Sequence, residues 1–212
     1  MALKYTDLRG VCCEAHGVAC HEDRPCFALD NVLTPEECQG ILMKMLPVHD
    51  EEPTSLEPGA RSQKQLDDPE LTETVWSRIK DFLPRELDGG RICGLQPTWR
   101  VAKYFPGQWV MPHMDFRHSE SELVVSRISL TIYLDDGAGA ATTFVTGVDD
   151  YGGWKGEHYR NEPKPGSAVL FYQNVPEFMH LAEKVPEDGT KSIMRADVVY
   201  RFEDKEAAMR EP

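Results

Sequence analysis

The sequence predicts a mainly β protein with a small helical support, built as an antiparallel sandwich or barrel. Three observations carry this. Helical patterns are confined to the first 95 residues, short strand-like runs fill the chain from about residue 96, and Gly and Pro separate those runs. Thr34-Pro35-Glu36-Glu37 reads as a helix start: an N-cap threonine, proline at the first helical position, and glutamate three on from the cap. That helix covers 34–46, with Ile41, Leu42, Met45 and Leu46 on its apolar face. A second runs from Asp68-Pro69 to about Leu83, with Leu71, Val75, Ile79 and Phe82 near helical spacing, until Pro84 stops it. Residues 1–30 are rich in Cys and His without clear periodicity, and 47–67, polar with three prolines, read as a loop. Strands are expected at 99–105, 127–134, 142–145, 168–172, 178–183 and 191–202. The expected organisation is an N-terminal segment 1–95 whose helices buttress the core, a core over 96–202 and a tail over 203–212.

Lys+Arg 23 against Asp+Glu 36 gives a net charge of −13. That balance makes the chain a poor candidate for nucleic-acid backbone, which needs clustered positive charge, and argues against an anionic membrane surface. No run approaches the roughly 20 apolar residues of a spanning helix, and the first residues lack the apolar stretch of a signal peptide. A cytoplasmic setting follows as the expectation, with the six cysteines as thiols rather than disulfides.

The chemistry starts at His113-Met114-Asp115. In an extended segment His113 and Asp115 share a face and can grip one metal ion. Iron(II) enzymes that activate oxygen often use two histidines and one carboxylate, leaving other positions open. The tripeptide alone is weak, because His21-Glu22-Asp23 repeats it in the irregular N-terminus. A third ligand is best supplied by His180, inside the apolar run Phe178-Met179-His180-Leu181; the alternative is a satisfied core histidine. His16, His49, His118 and His158 read as surface residues. Lys191, Ile193 and Arg195 share a face, and two inward cations call for an anion such as a dicarboxylate; an edge strand showing its charges to water is the alternative. In 127–134, Ile128, Leu130, Ile132 and Leu134 form one face, and Arg127, Ser129, Thr131 and Tyr133 the other, lining a wet cavity or facing solvent. The aromatic loop from Val148 to Lys164, with Tyr151, Trp154 and Tyr159, is either a lid or a packed excursion.

Taken in order, these pieces resemble the Fe(II)/2-oxoglutarate-dependent oxygenases, in the prolyl 4-hydroxylase-like branch. Trp99-Arg100-Val101-Ala102-Lys103-Tyr104-Phe105-Pro106-Gly107 resembles the strand and turn before the family's metal motif, and His113-x-Asp115 that motif. Leu130-Thr131-Ile132-Tyr133-Leu134-Asp135 resembles the central strand. Ala140-Ala141-Thr142-Thr143-Phe144 stands where Gly-Glu-Thr-x-Phe is usual, so the glycine and the acid are replaced. Pro163-Lys164-Pro165-Gly166-Ser167-Ala168-Val169-Leu170-Phe171 resembles the approach to the distal histidine, which His180 matches without the usual acidic residue and glycine after it. The span is about 96–202, half the chain.

The resemblance implies a double-stranded β-helix, a jelly-roll core preceded by helices. It implies His113, Asp115 and His180 as iron ligands, Lys191 as the anchor of the far 2-oxoglutarate carboxylate, and Tyr104 as a hydrogen-bond partner of that cosubstrate. Tyr133 and Thr143 are weaker carry-overs, and Arg195 is either a second anchor or the grip on a nearby carboxylate. Fe(II), 2-oxoglutarate and O2 are the implied cofactors, with ascorbate an optional addition. The implied reaction hydroxylates a C–H bond of a small-molecule or peptidyl substrate, a prolyl residue or related amino acid, and releases succinate and CO2. Two other readings stand beside it: a cupin-like metalloenzyme that does not use 2-oxoglutarate, and a non-enzymatic zinc module built from Cys12, Cys13, His16, Cys20, His21 and Cys26. The spacings of the latter fit no regular zinc pattern, and most of those cysteines read as buried apolar residues or free thiols. Cys38 and Cys93 carry no assigned role.

Overall fold

The computed structural model describes residues 2–45, 55–150 and 153–210; Leu46, His49 and Tyr151 lie outside them. In chain order the elements are β1 (Lys4–Asp7), α1 (Arg9–His16), β2 (Cys26–Asp30), α2 (Pro35–Met45), β3 (Ser62–Asp67), α3 (Pro69–Ile79), β4 (Glu86–Leu87), β5 (Gly90–Leu95), β6 (Thr98–Tyr104) and β7 (Val110–His113). There follow β8 (Ser119–Ser121), β9 (Val124–Tyr133), β10 (Thr142–Phe144), β11 (Gly147–Val148), β12 (Trp154–Lys155), β13 (Tyr159–Asn161), β14 (Ala168–Tyr172), β15 (His180–Ala182), β16 (Lys191–Arg201) and α4 (Lys205–Met209).

Two sheets face each other in a jelly-roll. The large one has the order β1-β2-β14-β9-β16-β5-β4, with β6 on β16, β3 on β6 and β8 on β9. The small one has the order β13-β10-β15-β7, and β11 pairs with β12 in a separate hairpin. Every pairing is antiparallel. No described helix is long and apolar enough to cross a membrane.

The helices start as their sequences require. Thr34 Oγ1 accepts from the Glu37 N–H at 3.2 Å and the Glu37 carboxylate accepts from the Thr34 N–H at 2.8 Å, the expected reciprocal cap. Asp68 caps α3 by accepting from the Leu71 N–H at 3.0 Å, and a short 3₁₀ turn at Lys80–Phe82 carries the chain on to Leu83. Arg78 on α3 bonds the Glu37 carboxylate on α2 at 2.7 and 2.8 Å and so ties the two helices together. Ile41, Met45, Val75 and Ile79 pack on the large sheet, and the Trp99 indole donates to Thr72 Oγ1 at 2.9 Å.

The first 95 residues are more than helical buttresses. β1 and β2 extend the large sheet beyond β14, β3 lines up on β6, and β5 pairs with β16. The stretch 1–30, without periodicity in the sequence, thus forms a strand, a helix and a strand, and the expected loop at 47–67 ends in β3. Ser-Gln-Lys-Gln-Leu-Asp hides its strand character because β3 is an edge strand with mostly exposed side chains, held by its backbone ladder rather than by buried apolar residues.

The expected alternation in β9 takes an inward form on both faces, and all ten of its residues are buried. Arg127 is 0% exposed, pairs with Asp88 at 2.8 Å and donates to the carbonyls of Ser126 and Ala208, so its charge and donors are satisfied inside.

Gly166 couples the N-terminal segment to the core. Its N–H donates to Tyr133 O at 2.8 Å and its carbonyl accepts from Leu33 N–H at 3.1 Å. Its φ is +79°, and an added Cβ would stand 2.0 Å from the Leu33 carbonyl oxygen. A left-handed non-glycine residue costs roughly 1–2 kcal/mol before any clash. Gly166→Ala is therefore expected to lower the thermal midpoint by about 4 °C or more, as read by calorimetry; an unchanged midpoint would contradict this backbone contact.

Candidate metal centre

Strand pairing builds the centre. β7 ends on His113 and β15 begins on His180, and these two are direct partners in the antiparallel register. Their ring centroids lie 4.4 Å apart. Asp115 follows two residues after His113, with Oδ1 3.5 Å from His113 Nε2 and Oδ2 4.0 Å from His180 Nε2. The three donor atoms lie within 4.8 Å of one another, and this is the one such group of three among the described residues.

Both imidazoles are oriented by their own backbone. His113 Nδ1 bonds Met111 O at 2.8 Å and His180 Nδ1 bonds Phe178 O at 3.0 Å. A carbonyl only accepts, so each Nδ1 is placed to donate and each Nε2 is turned to the centre. Phe171 and Phe144 pack on the His180 ring, at 4.5 and 5.8 Å between centroids. Two imidazole nitrogens and one carboxylate oxygen converging from one side fit a first-row divalent metal such as Fe(II) with open positions.

The electrostatics favour the ligand-ready forms. Burial pushes the His180 imidazole down to about 4 against the opposing pull of Asp115, so it is neutral at physiological pH. Burial alone would raise Asp115, but the Arg195 guanidinium beside it, with the His113 ring, brings it well below the usual carboxylate range. Arg195 Nη2 lies 2.5 Å from Asp115 Oδ2 and donates to Ser129 Oγ at 3.1 Å. Gln173 donates to both Ser129 Oγ and Asp197, and Asp197 also pairs with Arg100 at 2.9 Å. The sequence reading missed Gln173 and Asp197; neither has a motif to mark it.

The three donors stand at the wall of a cavity of about 150 Å³ between the two sheets. Lys191, Ile193 and Arg195 all line it, as their shared face on β16 predicts. Lys191 is 1% exposed, and its Nζ donates to Ala141 O at 3.2 Å. Among the described residues it has no carboxylate within ion-pair distance, and burial lowers it to about 8. Tyr104 is the register partner of Lys191 across β6 and β16 and also lines the cavity.

Tyr133 and Thr143 are not among the lining residues, although Lys191 Nζ lies 5.7 Å from the centre of the Tyr133 ring. The Tyr133 hydroxyl donates to Thr142 Oγ1 at 2.7 Å and accepts from Asn161 at 3.0 Å, so Tyr133 positions a wall residue and is not one. Thr143 donates to Glu183 at 2.6 Å, away from the cavity, and Thr142 takes the wall position. Side chains alternate along β10, so adjacent threonines cannot both face inward. Thr131, Arg100 and Phe171 also line the cavity, as do Arg61 and Gln63 at the start of β3. Arg100 was legible as the alternation partner of Tyr104; Arg61 and Gln63, in a polar loop-like stretch, carried no signal.

The N-terminal cysteines do not assemble a group of three donors. Cys12, Cys13 and Cys26 are buried, Cys20 is exposed, and Cys38 and Cys93 are likewise free thiols. His118 is exposed as expected. His16 and His158 instead meet edge to face at 5.7 Å, each with a buried Nε2. The described residues of the 148–164 excursion contribute nothing to the cavity wall, and Tyr159 packs on the core.

No family model matches the chain, and no curated protein does. Solved structures do. A viral collagen prolyl hydroxylase from Paramecium Bursaria Chlorella virus-1, in a 2OG complex, is 18% identical with a TM-score of 0.59, covering 82% of this chain and 94% of that one. A Pseudomonas putida prolyl-4-hydroxylase is 14% identical with a TM-score of 0.53, over 82% and 91%. The carbocyclase SnoK from nogalamycin biosynthesis, described as non-heme and alpha-ketoglutarate dependent, is 15% identical with a TM-score of 0.52, over 85% and 80%. The fold is shared with these proteins.

The His180 environment predicts a pH dependence. Its folded value, about 4, lies below the ordinary 6.5. The unfolded chain therefore takes up a proton first, and the stability of the metal-free protein should fall as pH drops from 6.5 toward 4. An NMR titration of the imidazole checks this; a midpoint near 6.5 would contradict the buried placement.

Proposed function

We propose that this protein is an Fe(II)/2-oxoglutarate-dependent oxygenase that hydroxylates a C–H bond. The observation that carries the reading is the juxtaposition, in one small cavity, of the His113/Asp115/His180 donor set with a buried Lys191 that has no carboxylate partner among the described residues. The fold shared with prolyl hydroxylases supports it. Lys191 also weighs against a cupin-like metalloenzyme without 2-oxoglutarate, since such a centre needs no buried cation beside it. The substrate in this reading is a prolyl ring or a related amino-acid side chain.

His113, Asp115 and His180 would hold the iron. Bound there, iron and 2-oxoglutarate would supply the oxygen chemistry: of the two atoms of O2, one would end in the succinate left when the keto acid loses CO2 and the other in the substrate as a hydroxyl group. The rest is the work of the chain. Lys191 binds the far carboxylate of 2-oxoglutarate, and its burial strengthens that contact by excluding water. Tyr104 closes the same wall from β6. Arg195 keeps Asp115 ionised and fixes one of its oxygens, leaving the other for the metal. Phe144 and Phe171 hold the His180 ring in place and exclude water from that side.

Anaerobic addition of Fe(II) and 2-oxoglutarate to metal-free protein is expected to produce a visible charge-transfer band that His180→Ala abolishes. Iron binding without the band would defeat the 2-oxoglutarate reading. Lys191→Met should weaken 2-oxoglutarate binding roughly 10- to 100-fold, the worth of one charge-assisted bond, while leaving iron binding intact. Lys191 binds an anion only when protonated, so 2-oxoglutarate affinity should decline as pH rises above about 8. Affinity that stays flat to pH 10 in the wild type would remove Lys191 from the role.

A further inference from the structure

We infer that the substrate carries a free carboxylate, held by Arg61 at the mouth of the cavity. This rests on the oxygenase reading of the same site. The cavity is graded in depth. Lys191 is 1% exposed, whereas Arg61, on the other side of Tyr104 from it, is half-buried and Gln63 exposed, so the β3 side of the cavity is open to solvent. At about 150 Å³ the cavity falls below the roughly 300–1,000 Å³ of common ligand pockets. The cosubstrate fills most of it, and the substrate must bind largely at the β3 mouth.

Three arginines line that space, and their charges are not equally committed. Arg195 is neutralised by Asp115 at 2.5 Å and Arg100 by Asp197 at 2.9 Å. Among the described residues Arg61 bonds only neutral acceptors, the Gly59 carbonyl at 2.8 Å and the Gln63 side-chain oxygen at 3.0 Å. No carboxylate among the described residues pairs with it, in a chain whose net charge is −13. Its guanidinium lies 5.9 Å from the centre of the Tyr104 ring, so it stands beside a cavity wall. Gln63 accepts from Arg61 Nε, which leaves the Gln63 amide N–H groups as donors beside the guanidinium.

A planar fork with an adjacent amide donor matches a planar carboxylate. A phosphate dianion would need a second uncommitted cation; among the described residues Arg195 and Arg100 are paired with carboxylates, and in this reading Lys191 is taken by the cosubstrate. The substrate class is therefore a small molecule with a free carboxylate, such as an unblocked amino acid, presented with its reacting C–H toward the metal centre. A residue inside a polypeptide, whose carboxyl is tied up in a peptide bond, does not meet this requirement.

The test is an NMR titration of the full ¹⁵N-labelled chain with Zn(II) in place of Fe(II) and 2-oxoglutarate in excess. It follows the Arg61 Nε–H signal, identified by its loss in Arg61→Lys. Acetate is the probe, acetamide the neutral isostere, and chloride and phosphate the competing anions at matched ionic strength. The expected result is a saturable shift with acetate, at least tenfold weaker with chloride or phosphate, and absent with acetamide. Equal responses to all anions, or no response to acetate, would overturn the carboxylate site. A shift produced by 2-oxoglutarate itself, which acetate cannot add to, would also overturn it by giving Arg61 to the cosubstrate. Failure of the oxygenase reading shows separately: the wild type would then lack the Fe(II)/2-oxoglutarate band while Arg61 still takes acetate in the metal-free chain.

Discussion

Asp115 sits almost fully buried between two imidazoles and a guanidinium, and the neighbourhood is arranged around keeping it charged. An isolated carboxylate at that depth would take up a proton. Arg195 prevents this from 2.5 Å away, and Arg195 is itself held by Ser129 and faces Asp197. Gln173 ties Ser129 to Asp197 and accepts from Ser126 Oγ. Removing one partner of such a buried pair typically costs about 3–5 kcal/mol, so the centre and the sheet under it stand or fall together. The ionised Asp115 then completes a donor set that the two histidines begin.

The two sheets divide the labour. The large sheet brings the cations: Lys191 and Arg195 from β16, Arg100 from β6, and Arg61 next to β3. The small sheet brings both histidines, which are paired across β7 and β15, with Asp115 just beyond. The cavity exists because these two surfaces face each other, the cations of one against the His113/Asp115/His180 donor set of the other. A dianionic acid bridging metal and lysine fits that separation of charge. Among the described residues Arg61 is the arginine of this wall that no carboxylate neutralises.

The N-terminal segment completes this scaffold. β2 lies against β14, placing Cys26 opposite Phe171, which in turn packs on His180. Gly166 links the turn before β14 to the chain just ahead of α2. β3 covers the free edge of β6 and carries Arg61 and Gln63 to the mouth. The first third of the chain is therefore part of the site's wall and support.

Much of the architecture was legible in local pattern. Both helix starts follow from side chains that cap their own backbone, and β9, β14 and β16 from alternation or apolar runs. The shared face of Lys191, Ile193 and Arg195 follows from the period of a strand alone. The pairing of His113 with His180 needed more, because 67 residues separate them and only the β7–β15 register brings their rings to 4.4 Å. Thr142 rather than Thr143 faces inward because the register of β10 against β15 sets the phase of its alternation, which two neighbouring threonines cannot disclose. β3 stayed hidden because an edge strand is specified by its partner's backbone and not by its own side chains. Sequence by itself determined which residues can ligate, cap and alternate, since those are properties of a few adjacent positions. Tertiary structure decided which of them meet and which charges stay uncommitted, since both depend on distances that only strand pairing sets.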